Sequence, residues 1–158
     1  MKARTAGFTL IELLVTLAIM ALLAALVMPV AELSLQRARE AELRSALRTL
    51  RNAIDAYKQA SDDGRIAPRA GASGYPPTLD VLVQGVPDIK TPKGGKIYFL
   101  RRIPRDPTNP DSYAEPAATW ATRSYASGPD HPRAGEDVFD VFSQSPGIGL
   151  DGTPYSEW

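Results

Sequence analysis

The fold is decided by the stretch Gly7-Phe8-Thr9-Leu10-Ile11-Glu12-Leu13-Leu14-Val15, which opens an apolar run that continues to Val30. From Phe8 to Val30 the run has 23 residues. At about 1.5 Å per residue, a helix of this length spans roughly 34 Å, which is enough to cross a hydrocarbon core of about 30 Å. Lys2 and Arg4 precede the run and should keep that end of the chain cytoplasmic. The sequence therefore predicts one membrane-spanning helix, with the remainder of the chain on the opposite side.

Two simpler explanations of this run fit less well. A secretory signal peptide has an apolar core of about 7–15 residues and a small-residue exit, and Pro29-Val30-Ala31 matches such an exit poorly. A plain membrane anchor fits the length but does not account for Glu12. An ionised carboxylate near the start of a membrane helix costs about 2–4 kcal/mol unless it is paired or close to headgroups. Glu12 therefore predicts a cationic partner.

The stretch Gly7–Val15 closely resembles the N-terminal signature of the type IV pilin superfamily, which includes pilins and the pseudopilins of type II secretion. This resemblance implies that an inner-membrane prepilin peptidase cleaves between Gly7 and Phe8, and that Phe8 is then N-methylated. Cleavage removes the leader, residues 1–7, and creates a new ammonium group at Phe8. Pairing of that ammonium with Glu12 of a neighbouring subunit would offset the desolvation of both charges and set the axial register.

Pro29 is a third residue that we assign to assembly. A proline inside a helix removes one backbone hydrogen bond and introduces a kink or a weak turn. The resemblance implies a segment that can bend or unwind while subunits pack. The simpler alternative is that Pro29 marks the exit from the membrane.

Residues 32–60 predict a second, amphipathic half of the same helix. They contain no Gly or Pro and are rich in strong helix formers. Apolar side chains recur at helical spacing along one stripe: Leu43, Leu47, Leu50, Ile54 and Tyr57. Glu40–Arg44 and Arg51–Asp55 are pairs of opposite charge at i,i+4 spacing. We expect a nearly continuous helix over 8–60, composed of a transmembrane and filament-core half (8–31) and an amphipathic half (32–60).

The remaining residues, 61–158, predict a small globular domain that packs on the amphipathic half. Of the 14 prolines and 12 glycines in the chain, 13 and 11 lie beyond Ala60. Pro76–Val83 predicts a short helix, and three segments predict strands of one antiparallel sheet: Lys96–Arg101, Trp120–Ala126 and Val138–Phe142. The expected fold is α+β, the lollipop shape that is typical of pilin-like subunits.

Two segments of this domain extend the resemblance beyond the membrane span. Gly74–Leu82 is similar to the Tyr-Pro-Thr-rich segment of major pseudopilins, and Ile103–Pro107 is similar to their Pro-x-Asp-Pro stretch. The Trp-Gly pair that usually follows that stretch is Thr108-Asn109 here.

A glycine-rich loop follows the last predicted strand and is a candidate metal site. Calcium prefers carboxylate, carbonyl and hydroxyl oxygens in a flexible cage. Major pseudopilins bind calcium in a corresponding C-terminal loop, so the resemblance implies a calcium site with Asp151 and Ser143 as ligands. This loop has fewer aspartates than is usual in the family. The alternative is a glycine-rich turn that is closed by packing of Tyr155 and Trp158.

Composition argues against most enzymes and against nucleic-acid binding. The chain has no cysteine, a single histidine (His131) and no Gly-x-Ser-x-Gly motif, so we predict no catalytic residues. The 18 basic and 18 acidic residues balance, and the tail from Gly128 to Trp158 is acidic. We therefore expect no nucleic-acid partner.

The resemblance implies a structural subunit of a type II secretion pseudopilus, most like the major pseudopilin. Type IV pilins often close their C-terminal loop with a disulfide, which a chain without cysteine cannot form. A type IV pilin, a minor pilin or a minor pseudopilin is the alternative. The implied location is the bacterial inner membrane, single-pass, with a periplasmic C-terminal domain that joins a periplasmic filament. The implied partners are further copies of the chain, prepilin peptidase, minor pseudopilins and an inner-membrane assembly platform.

Overall fold

A computed structural model describes residues 7–91 and 94–158, and at positions 26 and 29 it describes the backbone alone. The chain divides into two compact units, the first ending at Ala38 and the second running from Arg39 to Trp158. The helices are α1 (Leu10–Asp62) and α2 (Leu79–Gln84), and the strands are β1 (Val86–Pro87), β2 (Lys96–Ile97), β3 (Trp120–Arg123) and β4 (Asp140–Ser143). Two short 3₁₀ helices cover Pro116–Thr119 and Tyr155–Glu157. The α+β fold class is confirmed.

Helix α1 is the long helix that the sequence predicts over 8–60. It runs from Leu10 to Asp62 and has 53 residues. Two residues after the helix ends at Asp62, Gly64 adopts a left-handed φ of 66°, and the amide of the next residue, Arg65, donates to the Ala60 carbonyl at 2.9 Å. A glycine at this position satisfies the last carbonyls of a helix without a steric cost from a Cβ atom.

The first unit consists mainly of the N-terminal part of α1, and its large apolar side chains are exposed. Within the described residues, α1 is the one helix that is long and apolar enough to cross a membrane, as judged by length and composition. A row of exposed leucine, isoleucine and valine side chains needs lipid or other apolar chains around it. The length and composition of this unit fit a membrane anchor.

The second unit has a hydrophobic core built on the C-terminal part of α1. All five side chains of the predicted stripe are buried, between 0 and 7% exposed: Leu43, Leu47, Leu50, Ile54 and Tyr57. Their packing partners come from α2 and both later strands and include Leu82, Trp120, Val141 and Tyr155. The periodicity therefore identified the buried face of the helix correctly.

The prediction of one three-stranded sheet is wrong. Strands β3 and β4 form one antiparallel pair, in which Trp120 lies opposite Ser143 and Arg123 lies opposite Asp140. Strand β2 pairs instead with β1, a strand that the sequence did not reveal.

Strand β2 is also shorter than the predicted Lys96–Arg101. The amides of Phe99 and Leu100 both donate to the Leu82 carbonyl, each at 3.0 Å. These bonds turn the chain onto the end of α2 after Ile97, so its backbone groups are no longer available to a second strand.

Candidate functional site

The predicted cleavage position lies in an extended segment before α1. Gly7, Phe8 and Thr9 are outside the helix, and the Phe8 side chain is 85% exposed. A Cβ atom added at Gly7 would meet nothing within 4 Å. A protease needs an accessible, non-helical stretch at the bond that it cuts, and on the described side of this bond residues 7–9 are exposed and lie outside the helix. The other six residues of the predicted leader lie outside the described residues.

Glu12 lies in the first turn of α1 and caps its start. Its Oε2 atom accepts hydrogen bonds from the Thr9 amide at 2.8 Å and from the Thr9 hydroxyl at 2.9 Å. In return, the Glu12 amide donates to the Thr9 hydroxyl oxygen at 3.3 Å. This is a reciprocal capping box, and its Thr-x-x-Glu spacing is visible in the sequence although the sequence analysis did not use it.

The capping box leaves part of the Glu12 carboxylate available. Both bonds from Thr9 end on Oε2, and within residues 7–91 and 94–158 no donor contacts Oε1. The side chain is exposed, so a cation from another molecule can reach it. Glu12 is therefore held in a defined position next to the chain segment that cleavage would turn into a new terminus.

Position 29 lies within α1, which runs through it without a break. The proline side chain at this position lies outside what the structure describes. Its assignment to assembly, as a hinge or as the membrane exit, stays a prediction.

Ser143 lies at the end of β4 and is completely buried. Its hydroxyl donates to Oδ2 of Asp106 at 2.5 Å, and its oxygen accepts the amide of Ser145 at 3.0 Å. Asp106 is equally buried, and its other oxygen accepts the amide and the hydroxyl of Thr108 at 2.7 and 2.6 Å. Ser143 therefore belongs to a buried hydrogen-bond network that joins β4 to the 106–108 turn.

Asp151 lies in a turn near the end of the chain and has different partners. Its Oδ1 accepts the hydroxyl and the amide of Thr153 at 2.6 and 3.0 Å, and its Oδ2 is 3.4 Å from Nη2 of Arg44. The hydrogen bonds from Thr153, with a smaller contribution from the Arg44 charge, lower the pKa of the Asp151 carboxyl. One carboxylate oxygen of Asp151 is thus hydrogen-bonded by Thr153, and the other, half-exposed, lies beside the Arg44 guanidinium.

Three carbonyl oxygens of the same segment also accept hydrogen bonds from main-chain amides. Hydrogen bonds join the Gly149 amide to the Thr153 carbonyl at 2.8 Å, the Gly152 amide to the Gly149 carbonyl at 2.9 Å and the Tyr155 amide to the Gly147 carbonyl at 3.1 Å. Within the described residues, no three acidic, histidine or cysteine side chains lie close enough together to hold a metal.

These observations bear on calcium directly. Calcium requires six to eight oxygen ligands, and the arrangement around Asp151 and Ser143 does not fit such a cage. Calcium binding by Asp151 and Ser143, which the family resemblance implies, is a question for calcium titration.

Three side chains that the sequence analysis did not assign to the site connect α1 to the end of the chain. Glu40 is 3% exposed, and its Oε1 accepts the amide of Leu150 at 2.8 Å and the hydroxyl of Tyr155 at 3.1 Å. Arg44 pairs with Asp151, as described above. Arg51 donates to Oδ1 of Asp140 at 2.8 Å and to the main-chain oxygen of Trp158 at 2.6 Å.

Comparison with known proteins gives one family match and three relatives. Residues 2–28 match the family described as the prokaryotic N-terminal methylation motif. Three curated relatives are named type II secretion system core protein G. The one from Klebsiella pneumoniae is 31% identical over 144 residues, covering 85% of this chain and 93% of the relative. The one from Aeromonas hydrophila is 33% identical over 112 residues, covering 67% and 69%.

The third relative, from Pseudomonas aeruginosa, is 29% identical over 141 residues, covering 86% of this chain and 92% of the relative. No solved structure matches the chain.

Proposed function

The chain belongs to the family of type II secretion system core protein G and is a structural subunit of a pseudopilus, and from this premise we propose how it is processed, assembled and used. Prepilin peptidase cleaves the bond between Gly7 and Phe8, and Phe8 is N-methylated. The processed subunits then polymerise into a periplasmic filament whose growth drives protein secretion. The observation that carries this proposal is the position of Glu12, held by Thr9 in the first turn of an exposed apolar helix.

Assembly depends on a charge pair that exists only after cleavage. The uncut leader carries Lys2 and Arg4, and moving them across the bilayer would be costly, so the precursor stays in the membrane. Cleavage removes both cations and leaves one ammonium group at Phe8. That ammonium pairs with Glu12 of the neighbouring subunit in an apolar environment, where the attraction between opposite charges is strong and an unpaired charge is costly.

The exposed apolar surface of α1 supports the same mechanism. Its leucine, isoleucine and valine side chains are covered by lipid in the single subunit and by the helices of other subunits in the filament. Exchanging one apolar environment for another costs little, so the polar contact between Phe8 and Glu12 decides the register of packing.

We assign the subunit to the inner membrane as a single-pass protein with a periplasmic C-terminal domain. Its proposed partners are other copies of the chain, prepilin peptidase, the minor pseudopilins and the inner-membrane assembly platform. The proposed role is mechanical and not catalytic, in agreement with relatives that are structural components of secretion systems.

The central test is the effect of Glu12→Ala on filament yield. The variant and the unaltered chain are produced in a host with a type II secretion system, and filaments are recovered from the periplasmic fraction by sedimentation and quantified by immunoblot. We expect membrane insertion to be normal and filament yield to be lost. Glu32→Ala is the matched control, because Glu32 is an exposed glutamate on the same helix. Normal filament yield from Glu12→Ala would refute the proposed role.

A further inference from the structure

The segment Gly147–Trp158, called the C-terminal loop below, is attached to α1 by side chains of both charges. Glu40 and Arg44 lie one helical turn apart on α1. Glu40 accepts the Leu150 amide and the Tyr155 hydroxyl, whereas Arg44 forms an ion pair with Asp151. Glu40 acts as an acceptor and Arg44 as a donor, so two adjacent turns of α1 hold the same loop.

Arg44 contacts the loop twice. Its Nη2 atom is 3.4 Å from Oδ2 of Asp151, and its guanidinium carbon lies 4.0 Å from the ring centroid of Trp158. The Trp158 indole nitrogen donates to the Thr153 hydroxyl at 2.7 Å, and that hydroxyl in turn donates to Asp151 at 2.6 Å. Arg44, Asp151, Thr153 and Trp158 therefore form a closed ring of polar and cation–π contacts.

The backbone of the C-terminal loop is packed closely against side chains of the same loop. A Cβ atom added at Gly149 would lie 2.5 Å from Cζ2 of Trp158 and 2.7 Å from Oδ1 of Asp151. One at Gly147 would lie 2.7 Å from the ring of Tyr155. The two glycines therefore permit the tryptophan, the tyrosine and the carboxylate to close over the backbone.

The guanidinium of Arg44 performs two tasks that a bound divalent cation performs in a loop of this kind. It neutralises the carboxylate of Asp151, and it joins that carboxylate to a second part of the structure. The other side-chain oxygen of Asp151, Oδ1, accepts hydrogen bonds from Thr153. Main-chain amides donate to the carbonyl oxygens of Gly147, Gly149 and Thr153. A calcium ion would have to displace these donors, and the positive charge of Arg44 would repel it.

We propose that Arg44 takes the place of calcium in this chain, so that the C-terminal loop folds on α1 without a bound divalent cation. The proposal concerns the folded subunit and does not depend on the proposed function in secretion. It predicts that substitution of Arg44 lowers the stability of the protein, whereas a change in calcium concentration does not alter it.

The test is thermal unfolding of the full chain in detergent, followed by tryptophan fluorescence, with millimolar calcium chloride or with EDTA. The Tm of the unaltered chain should be the same in both. Arg44→Gln should lower the Tm by about 3–5 °C in both, since about 1 kcal/mol corresponds to a shift of that size in a domain of this length. Arg48→Gln is the matched control: Arg48 is exposed one turn further along α1, and within the described residues no hydrogen bond joins it to the loop. It should unfold at the unaltered temperature.

A charge exchange separates the ion pair from a general effect of the substitution. Asp151→Arg alone should lower the Tm, because it places two cations together, and Arg44→Asp combined with Asp151→Arg should regain part of the loss. A rise of several degrees in the Tm of the unaltered chain on addition of calcium would overturn the proposal. So would a saturable heat of calcium binding in a calorimetric titration, or an Arg44→Gln variant as stable as Arg48→Gln. Each readout uses unassembled protein, so a failure here is distinguishable from a failure of filament assembly.

Discussion

The Oε2 atom of Glu12 accepts two hydrogen bonds from Thr9, from the amide at 2.8 Å and from the hydroxyl at 2.9 Å. The carboxylate that we assign to contact between subunits is thus also the cap of the helix that carries it. A helix start leaves amide groups without intrahelical partners, and in an apolar environment each such group is costly. The two roles make different demands on the side chain, and substitutions can separate them.

Glu12→Gln should preserve the cap and abolish assembly. A glutamine can accept the same bonds from Thr9 in a capping box, but it carries no charge for the ammonium of Phe8. Thr9→Ala should do the reverse: it weakens the cap by about 0.5–2 kcal/mol and leaves the charge in place. The yield of sedimented periplasmic filament, normalised to the amount of processed subunit, measures the difference. Full assembly of Glu12→Gln together with failure of Thr9→Ala would assign the role to the cap and not to the charge.

Intact-mass spectrometry of the filament subunit should show a chain that begins at Phe8 and carries one added methyl group. Gly7→Val should leave the leader attached and prevent assembly. A Cβ atom at this position would meet nothing within 4 Å, and Gly7 lies outside the core of the second unit, so the folded domain should be unaffected, and its thermal unfolding provides the control. Recovery of functional filaments that retain residues 1–7 would contradict the proposed processing.

Leu50→Ala should destabilise the second unit strongly. Leu50 is completely buried in the core that α1 forms with the later elements, and truncation of such a leucine costs roughly 2–5 kcal/mol because it leaves a cavity. Denaturant unfolding followed by tryptophan fluorescence measures the loss, and Leu150→Ala, at a position that is 42% exposed, is the control. Equal losses of unfolding free energy in the two variants would contradict the position of Leu50 in the core.

The ion pair of Arg65 and Asp88 should make stability depend on acid pH. Nη2 of Arg65 lies 2.6 Å from Oδ2 of Asp88, and Thr91 and Lys90 donate further bonds. The hydrogen bond from Arg65 is the largest cause that lowers the pKa of Asp88, to about 2 from an ordinary 3.8. Because the folded-state pKa is lower than the unfolded one, this stabilisation is present above pH 4 and is lost as the pH falls toward 2.

The measurement is the Tm of Asp88→Asn and of the unaltered chain between pH 7 and pH 2. The variant should unfold at a lower temperature at pH 7, and the difference should shrink below pH 4 as Asp88 of the unaltered chain becomes protonated. Asp130→Asn, at an exposed loop position, should show no such pH-dependent difference. A gap between Asp88→Asn and the unaltered chain that stays constant down to pH 2 would exclude the ion pair as its cause.

The long helix and the identity of its buried face were predictable from sequence because both depend on local order. Backbone hydrogen bonds in a helix join residues four apart, and Leu43, Leu47 and Leu50 share one face for the same geometric reason. The N-terminal motif is likewise a local pattern, and the family match to residues 2–28 agrees with it. The capping box of Thr9 and Glu12 was within reach of the same reasoning and was overlooked.

The partners of the charged side chains were not predictable. The i,i+4 spacing suggested that Arg44 would face Glu40 and that Arg51 would face Asp55. In the structure Arg44 pairs with Asp151, 107 positions away, and Arg51 pairs with Asp140, 89 positions away. A surface pair at i,i+4 contributes only a few tenths of a kcal/mol, so contacts that form when β4 and the C-terminal loop pack on α1 readily outcompete it.

The sequence by itself determined the anchor, the apolar stripe of α1 and the processing motif, since each is a repeat or a spacing within a few helical turns. Only the tertiary structure decided that Lys96–Ile97 pairs with Val86–Pro87, and that Glu40 is buried against Leu150 and Tyr155. Strand pairing and buried polar contacts satisfy hydrogen-bonding groups that are far apart in the chain, and which groups meet depends on the packing of the whole domain. The same reason explains why Arg44 of α1 contacts Asp151 of the glycine-rich loop, 107 positions away in the chain.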